Sequence, residues 1–98
     1  MKGRAKFKAL LLKKGITEYH FTEDEFNPVD CYFKFDHKCY IAEIKVRKQA
    51  YSTLFMEKKK LCSMMQLIKD GKAIDGYYVN FIGDKVYMFG IRSIYHYL

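Results

Sequence analysis

The sequence predicts one α/β domain over residues 1–98, a mixed central β-sheet flanked by helices, in the element order α-β-β-β-α-β-β. Three observations carry that prediction. Residues 2–14 and 53–69 place apolar side chains at helical spacing. Residues 29–35, 39–46, 74–82 and 85–90 alternate, or run apolar, over strand lengths. A helix-length segment separates the strand ending at Val46 from the one starting at Ile74, which calls for a right-handed crossover to a parallel neighbour.

In the first helix, Phe7, Leu10, Leu11 and Lys14 share a side, and Gly15 follows as a C-cap. Ile16–Thr22 reads as a short strand, with Tyr19 and Phe21 on one face. Glu23, Asp24 and Glu25 form an acidic loop that Asn27-Pro28 ends. The strand from Val29 puts Val29, Cys31, Phe33 and Phe35 on an apolar face and Asp30, Tyr32 and Lys34 on the other. Asp36-His37-Lys38 is a turn. The next strand has a wholly apolar face of Tyr40, Ala42, Ile44 and Val46. Its other face, Cys39, Ile41, Glu43 and Lys45, starts apolar and ends charged, and charges at such positions need partners or a metal.

Ser52 or Thr53 can cap the second helix, Thr53–Lys69, whose inward stripe is Leu54, Glu57, Leu61, Met64 and Ile68. Lys58, Lys59 and Lys60 mostly face outwards, and Asp70-Gly71 stops the helix. Ile74–Ile82 and Lys85–Gly90 pair about a Gly83-Asp84 turn. Residues 91–98 fit either a strand end or a docked tail, apolar enough to cover a core or a second subunit. That leaves room for a homodimer.

Half of the residues are apolar or aromatic, so 98 residues suffice for a core without staples. The net charge of +7 favours an anionic partner, nucleic acid before others. Cys31, Cys39 and Cys62 are odd in number and lack C-x-x-C spacing, and His20, His37 and His96 are scattered, which speaks against structural zinc. Free thiols and the lack of a secretory pattern point to a reducing compartment, the cytoplasm (the host's, if the chain is phage-encoded). The longest apolar runs are too short to span a membrane.

Asp30, Glu43 and Lys45 are the candidate catalytic residues. Glu43 and Lys45 are two apart on one strand and therefore point the same way. Two carboxylates and a lysine at one edge of a sheet suit Mg²⁺ (or Mn²⁺) and a phosphodiester: Mg²⁺ takes oxygen ligands and keeps several waters. The plain alternative for Glu43 and Lys45 is a cross-strand ion pair on a solvated face. Lys6, Lys13, Lys14, Arg47, Lys48, Lys58 and Lys59 are the candidate nucleic-acid contacts. Phosphate contacts of this kind give affinity and salt dependence but no sequence preference.

Asp30, then Glu43-Ile44-Lys45 at the end of the following strand, then a helix and a further strand, resembles the PD-(D/E)xK nuclease superfamily, in particular its small phage- or bacterial-type members. The resemblance spans roughly residues 1–90 in element order. The sequence departs from the pattern in having Pro28-Val29-Asp30 rather than adjacent Pro and Asp, and in an acid-free first helix, where one branch carries a glutamate. Glu57, Glu18 or Glu25 could replace that acid; for Glu57 the alternative is a salt bridge to Lys58 or Lys60. The resemblance implies a restriction-endonuclease-like core and a metal held by Asp30, Glu43 and the backbone carbonyl of Ile44. It also implies cleavage of phosphodiesters, most readily in DNA, to leave a 5′-phosphate and a 3′-hydroxyl. The expected function is thus a Mg²⁺-dependent nuclease without strong sequence specificity. The competing reading is a catalytically silent module of the same fold that holds nucleic acid or a protein partner.

Overall fold

The computed structural model describes residues 2–24, 26–48 and 56–96. Glu25, the candidate caps Ser52 and Thr53, Leu54 of the helix stripe, and the tail residues Tyr97 and Leu98 lie outside the described residues.

Five strands, β1 (Tyr19–Phe21), β2 (Cys31–Phe35), β3 (Lys38–Arg47), β4 (Asp75–Ile82) and β5 (Lys85–Gly90), form one sheet in sequential order. All neighbours are antiparallel except β3 and β4, which run parallel from Tyr40 opposite Asp75 to Arg47 opposite Ile82. This is the mixed α/β sheet the sequence predicts.

Helix α1 (Lys2–Lys13) covers one face of the sheet. Phe7 and Leu11 of α1 pack on Cys31, Phe33, Ala42, Val79 and Phe81. Helix α2 (Lys58–Lys69) covers the other, where Leu61 and Met64 meet Val29, Ile41, Tyr78 and Ile91. The period-2 alternation of β3 therefore separates Ala42, towards α1, from Ile41 and Glu43, towards α2.

The structure corrects three sequence expectations. Residues 91–98 were open between a strand end and a docked tail; residues 91–96 are a short helix, α3 (Ile91–His96), whose Ile91 is fully buried beside α2. Asp75 holds its start by accepting the Arg92 N–H at 3.2 Å. Secondly, α2 begins at Lys58, so Glu57 is its N-cap residue, exposed and without a side-chain capping bond, and is not part of an inward helical stripe. Thirdly, Val29 does not share a face with Cys31 and Phe33. It packs on the α2 side while they pack on the α1 side.

The third difference has a backbone cause. Cys31 is the register partner of Ala42, yet the Asp30 N–H also donates to the Ala42 carbonyl, at 2.9 Å. Two residues thus oppose one, the arrangement of a β-bulge, which re-aims a side chain and breaks strict alternation. Thr22 anchors the bulge. Its hydroxyl donates to the Val29 carbonyl at 2.7 Å, and its N–H to the Asp30 carbonyl at 2.9 Å.

Candidate active site

The bulge decides where Asp30 points. Its Oδ2 accepts the Ile44 N–H at 2.7 Å, and its Oδ1 lies 3.9 Å from the Arg4 guanidinium of α1. β2 ends its ladder at the Cys31–Ala42 pair, so the Ile44 amide would be unpaired on that edge. The carboxylate takes the place of the missing strand. In an extended strand the N–H and C=O of one residue point to the same edge. The Ile44 carbonyl therefore faces the edge that Asp30 occupies.

Glu43 is buried, 4 % exposed, on the α2 side of the same strand. Burial pushes its carboxyl up to about 7, the hydrogen-bonded and charged Asp30 carboxylate beside it adds to the rise, and Lys60 opposes it. The two carboxylates are thus neighbours, and a pair of carboxylates can share a cation. Lys60, expected to face water, instead reaches inward from the first turn of α2, with Nζ 3.2 Å from Glu43 Oε2.

Beyond Glu43, β3 carries Lys45 and Arg47 into a cavity of about 220 Å³ lined also by Met56, Glu57, Lys60 and Tyr78. Lys45 is exposed there. Glu57 does reach this cavity, from the N-cap of α2. The Arg47 guanidinium is held by β4: Nη2 donates to the Tyr78 hydroxyl at 2.8 Å and Nε to Asn80 Oδ1 at 3.0 Å. Asn80 is fully buried, and its Nδ2 has no hydrogen-bond partner among the described residues.

The structure brings Asp30, Glu43, Lys45, Arg47 and Glu57 to the end of β3, with Lys58 and Lys59 on the adjoining turn of α2. It does not bring Lys6, Lys13 and Lys14 there. Lys6 sits over the Phe81 ring on the α1 face, with Lys13 near it, and Lys14 borders the groove of Phe33, Tyr40 and Tyr77. Lys48 is exposed just past the end of β3. Glu18 lies in a different cavity, beside His20 and Tyr32. Sequence reasoning missed Arg4, Tyr78 and Asn80 at the site. Only Asn80 left a signal, as a lone amide inside the apolar run Tyr77–Ile82.

Among the described residues no three His, Cys, Asp or Glu side chains gather in a group that could hold a metal, and no helix is long and apolar enough to cross a membrane. Cys31, Cys39 and Cys62 are free thiols.

No family model matches the sequence, and no curated protein does. Solved structures do. Hjc of Archaeoglobus fulgidus, a Holliday junction resolvase from an archaeal hyperthermophile, is similar over 90 % of this chain and 75 % of its own, with a TM-score of 0.72 and 16 % identity. The structure of SSO0001 is similar over 89 % of this chain, with a TM-score of 0.53 and 12 % identity; this chain spans 47 % of its length. A mixed five-stranded sheet between helices, overlaying Hjc through 90 % of this chain, gives this chain a restriction-endonuclease-like fold.

Proposed function

We propose that this chain is a divalent-cation-dependent nuclease that cleaves DNA phosphodiesters with little sequence preference. The observation that carries the reading is the juxtaposition of Asp30 and Glu43 at the end of β3, beside Lys45. Asp30 is held there by an N–H of the strand that bears Glu43 and Lys45. The donors fit Mg²⁺ or Mn²⁺. Two adjacent carboxylates, one raised by burial and by the other, form a hard-oxygen pair that a cation would relieve. Mg²⁺ accepts one or two carboxylates and completes its shell with water, carbonyl and phosphate oxygens.

Asp30, Glu43 and the Ile44 carbonyl would hold the cation. When bound, it would supply charge neutralisation at the phosphate and a more acidic water. The protein's own side chains provide the rest. Lys45, two residues from Glu43 on the same face, can hold the attacking water and meet the charge that develops on the phosphoryl oxygens. Arg47, fixed by Tyr78 and Asn80, can take an adjacent phosphate without first ordering its side chain. Glu57, at the mouth of the cavity, can add a further oxygen ligand or steer water. None of these groups reads a base edge, which suits recognition by backbone and shape. That Hjc is a Holliday junction resolvase makes branched DNA the first substrate to try.

The test is a cleavage panel of plasmid, linear duplex and four-way junction, each with Mg²⁺, Mn²⁺ or EDTA. Metal-dependent cutting that Asp30→Ala and Lys45→Ala abolish is expected. Cutting that survives both substitutions, or none under any condition, would overturn the reading. DNA binding without cleavage would instead support the silent module.

A further inference from the structure

The cation position at Glu43 already has a cation beside it, and it belongs to the chain. Lys60 Nζ stands 3.2 Å from Glu43 Oε2, and the lysine is only about a third exposed, its side chain at 32 %. This is not a rim pair between two solvated side chains, because the Glu43 side chain is 6 % exposed. Removing one member of such a pair leaves a buried charge uncompensated.

The placement of Lys60 is locally unfavourable. The first turn of α2 carries Lys58, Lys59 and Lys60 and no acid, and its N-cap residue makes no side-chain capping bond. Cations at a helix N-terminus face the positive end of the macrodipole, and the helix would be better served by Asp or Glu there. A sequence that departs from its local preference needs a compensating contact elsewhere. For Lys60 that contact is Glu43. An ammonium on this carboxylate and a divalent cation on the same carboxylate would be like charges a few ångströms apart, in a partly dry cleft where repulsion is weakly screened.

We infer that Lys60 is an internal competitor for the divalent cation: it neutralises Glu43 while the metal is absent, and the cation binds only by displacing it. The inference rests on the metal-binding reading of Asp30 and Glu43. It makes Lys60 a positioning residue that sets how much free metal the site requires. The displaced ammonium stays tethered to α2 at the edge of the cavity that holds Lys45 and Arg47.

Mn²⁺ binding to the intact chain, without DNA, tests this by electron paramagnetic resonance of the free ion. Wild type, Lys60→Gln, Lys60→Arg and Glu43→Gln are compared, each checked for folding by circular dichroism. Lys60→Gln should bind Mn²⁺ about tenfold more tightly than wild type. Lys60→Arg should stay near wild type, and Glu43→Gln should lose the site. A lysine that only props up the fold would give the opposite sign, weaker binding in Lys60→Gln. Unchanged or weaker binding in that variant, with Glu43→Gln still abolishing the site, overturns the competitor while leaving the metal reading intact. Binding that Glu43→Gln does not affect, or no binding to any of the four proteins, overturns the metal reading and the competitor with it.

Discussion

Glu43 is the residue on which chemistry and stability pull in opposite directions. Its folded carboxyl titrates near 7, against an ordinary value near 4.5. Between those values the native chain holds a proton that the unfolded chain has lost. The stabilisation from this proton is therefore full below about pH 4.5 and is lost as pH rises through 7. The loss is at most on the order of 3 kcal/mol. Thermal melts in metal-free buffer from pH 4 to 9 should show a decline in Tm over this window that Glu43→Gln removes. Mg²⁺ should restore the wild type above pH 7 and leave Glu43→Gln unmoved.

That Glu43 and Lys45 share a face was legible from the strict period of β3 alone, whereas the aim of Asp30, in the bulge before β2, was not. Nor was the role of Lys60. A run of three lysines looks the same whichever one turns inward, and helix phase cannot be read once the helix starts five residues late. Tyr78 and Asn80 were hidden for a different reason: their roles depend on β4 lying beside β3, a pairing between residues some 35 apart in sequence.

At the scale of the element, the bulge before β2 aims Asp30, and alternation could not predict it. Thr22 is its fastener. Thr22→Val keeps the shape but leaves the Val29 carbonyl without its hydroxyl donor, which should cost about 1–2 kcal/mol. It should also weaken Mn²⁺ binding, read by the same titration, although Thr22 touches no candidate ligand. The β2–β3 turn offers the opposite opportunity. Asp36 and His37 adopt positive φ, 53° and 63°, in a two-residue hairpin loop. Asn-Gly is the preferred pair for that geometry. The double substitution Asp36→Asn, His37→Gly should raise stability by about 0.5–1 kcal/mol in urea melts, with metal binding unchanged. The turn, the Gly83-Asp84 hairpin and the order of the strands were all readable from local chemistry, because turn residues and strand periods are local properties.

For the whole molecule, the sheet divides the positive charge into two sets. Lys45, Arg47 and Lys60 line the Glu43 cleft, with the exposed Lys58 and Lys59 on the same first turn of α2 as Lys60; Lys6, Lys13 and Lys14 lie on the α1 face. Composition alone treated these as one pool. If DNA enters at the cleft, Lys58→Glu with Lys59→Glu should weaken junction binding and reduce the slope of log K against log salt by about 2. The Lys6→Glu, Lys13→Glu pair should leave the slope near that of wild type. Fluorescence anisotropy over a salt series in EDTA separates the two outcomes.

The single parallel pairing, β3 with β4, also bears on how the site comes into being. Asp30 and Glu43 are joined by one hairpin and can meet as soon as β2 and β3 zip together. Lys60, Tyr78 and Asn80 arrive only after the long crossover closes, and closing a large loop is slow. During folding the two carboxylates would then confront each other before their counter-charge has docked. The chain would pass through a stage at which its future site repels itself, and salt or Mg²⁺ in the refolding buffer should quicken the folding limb of the chevron more than it slows the unfolding limb. In Glu43→Gln that acceleration should vanish.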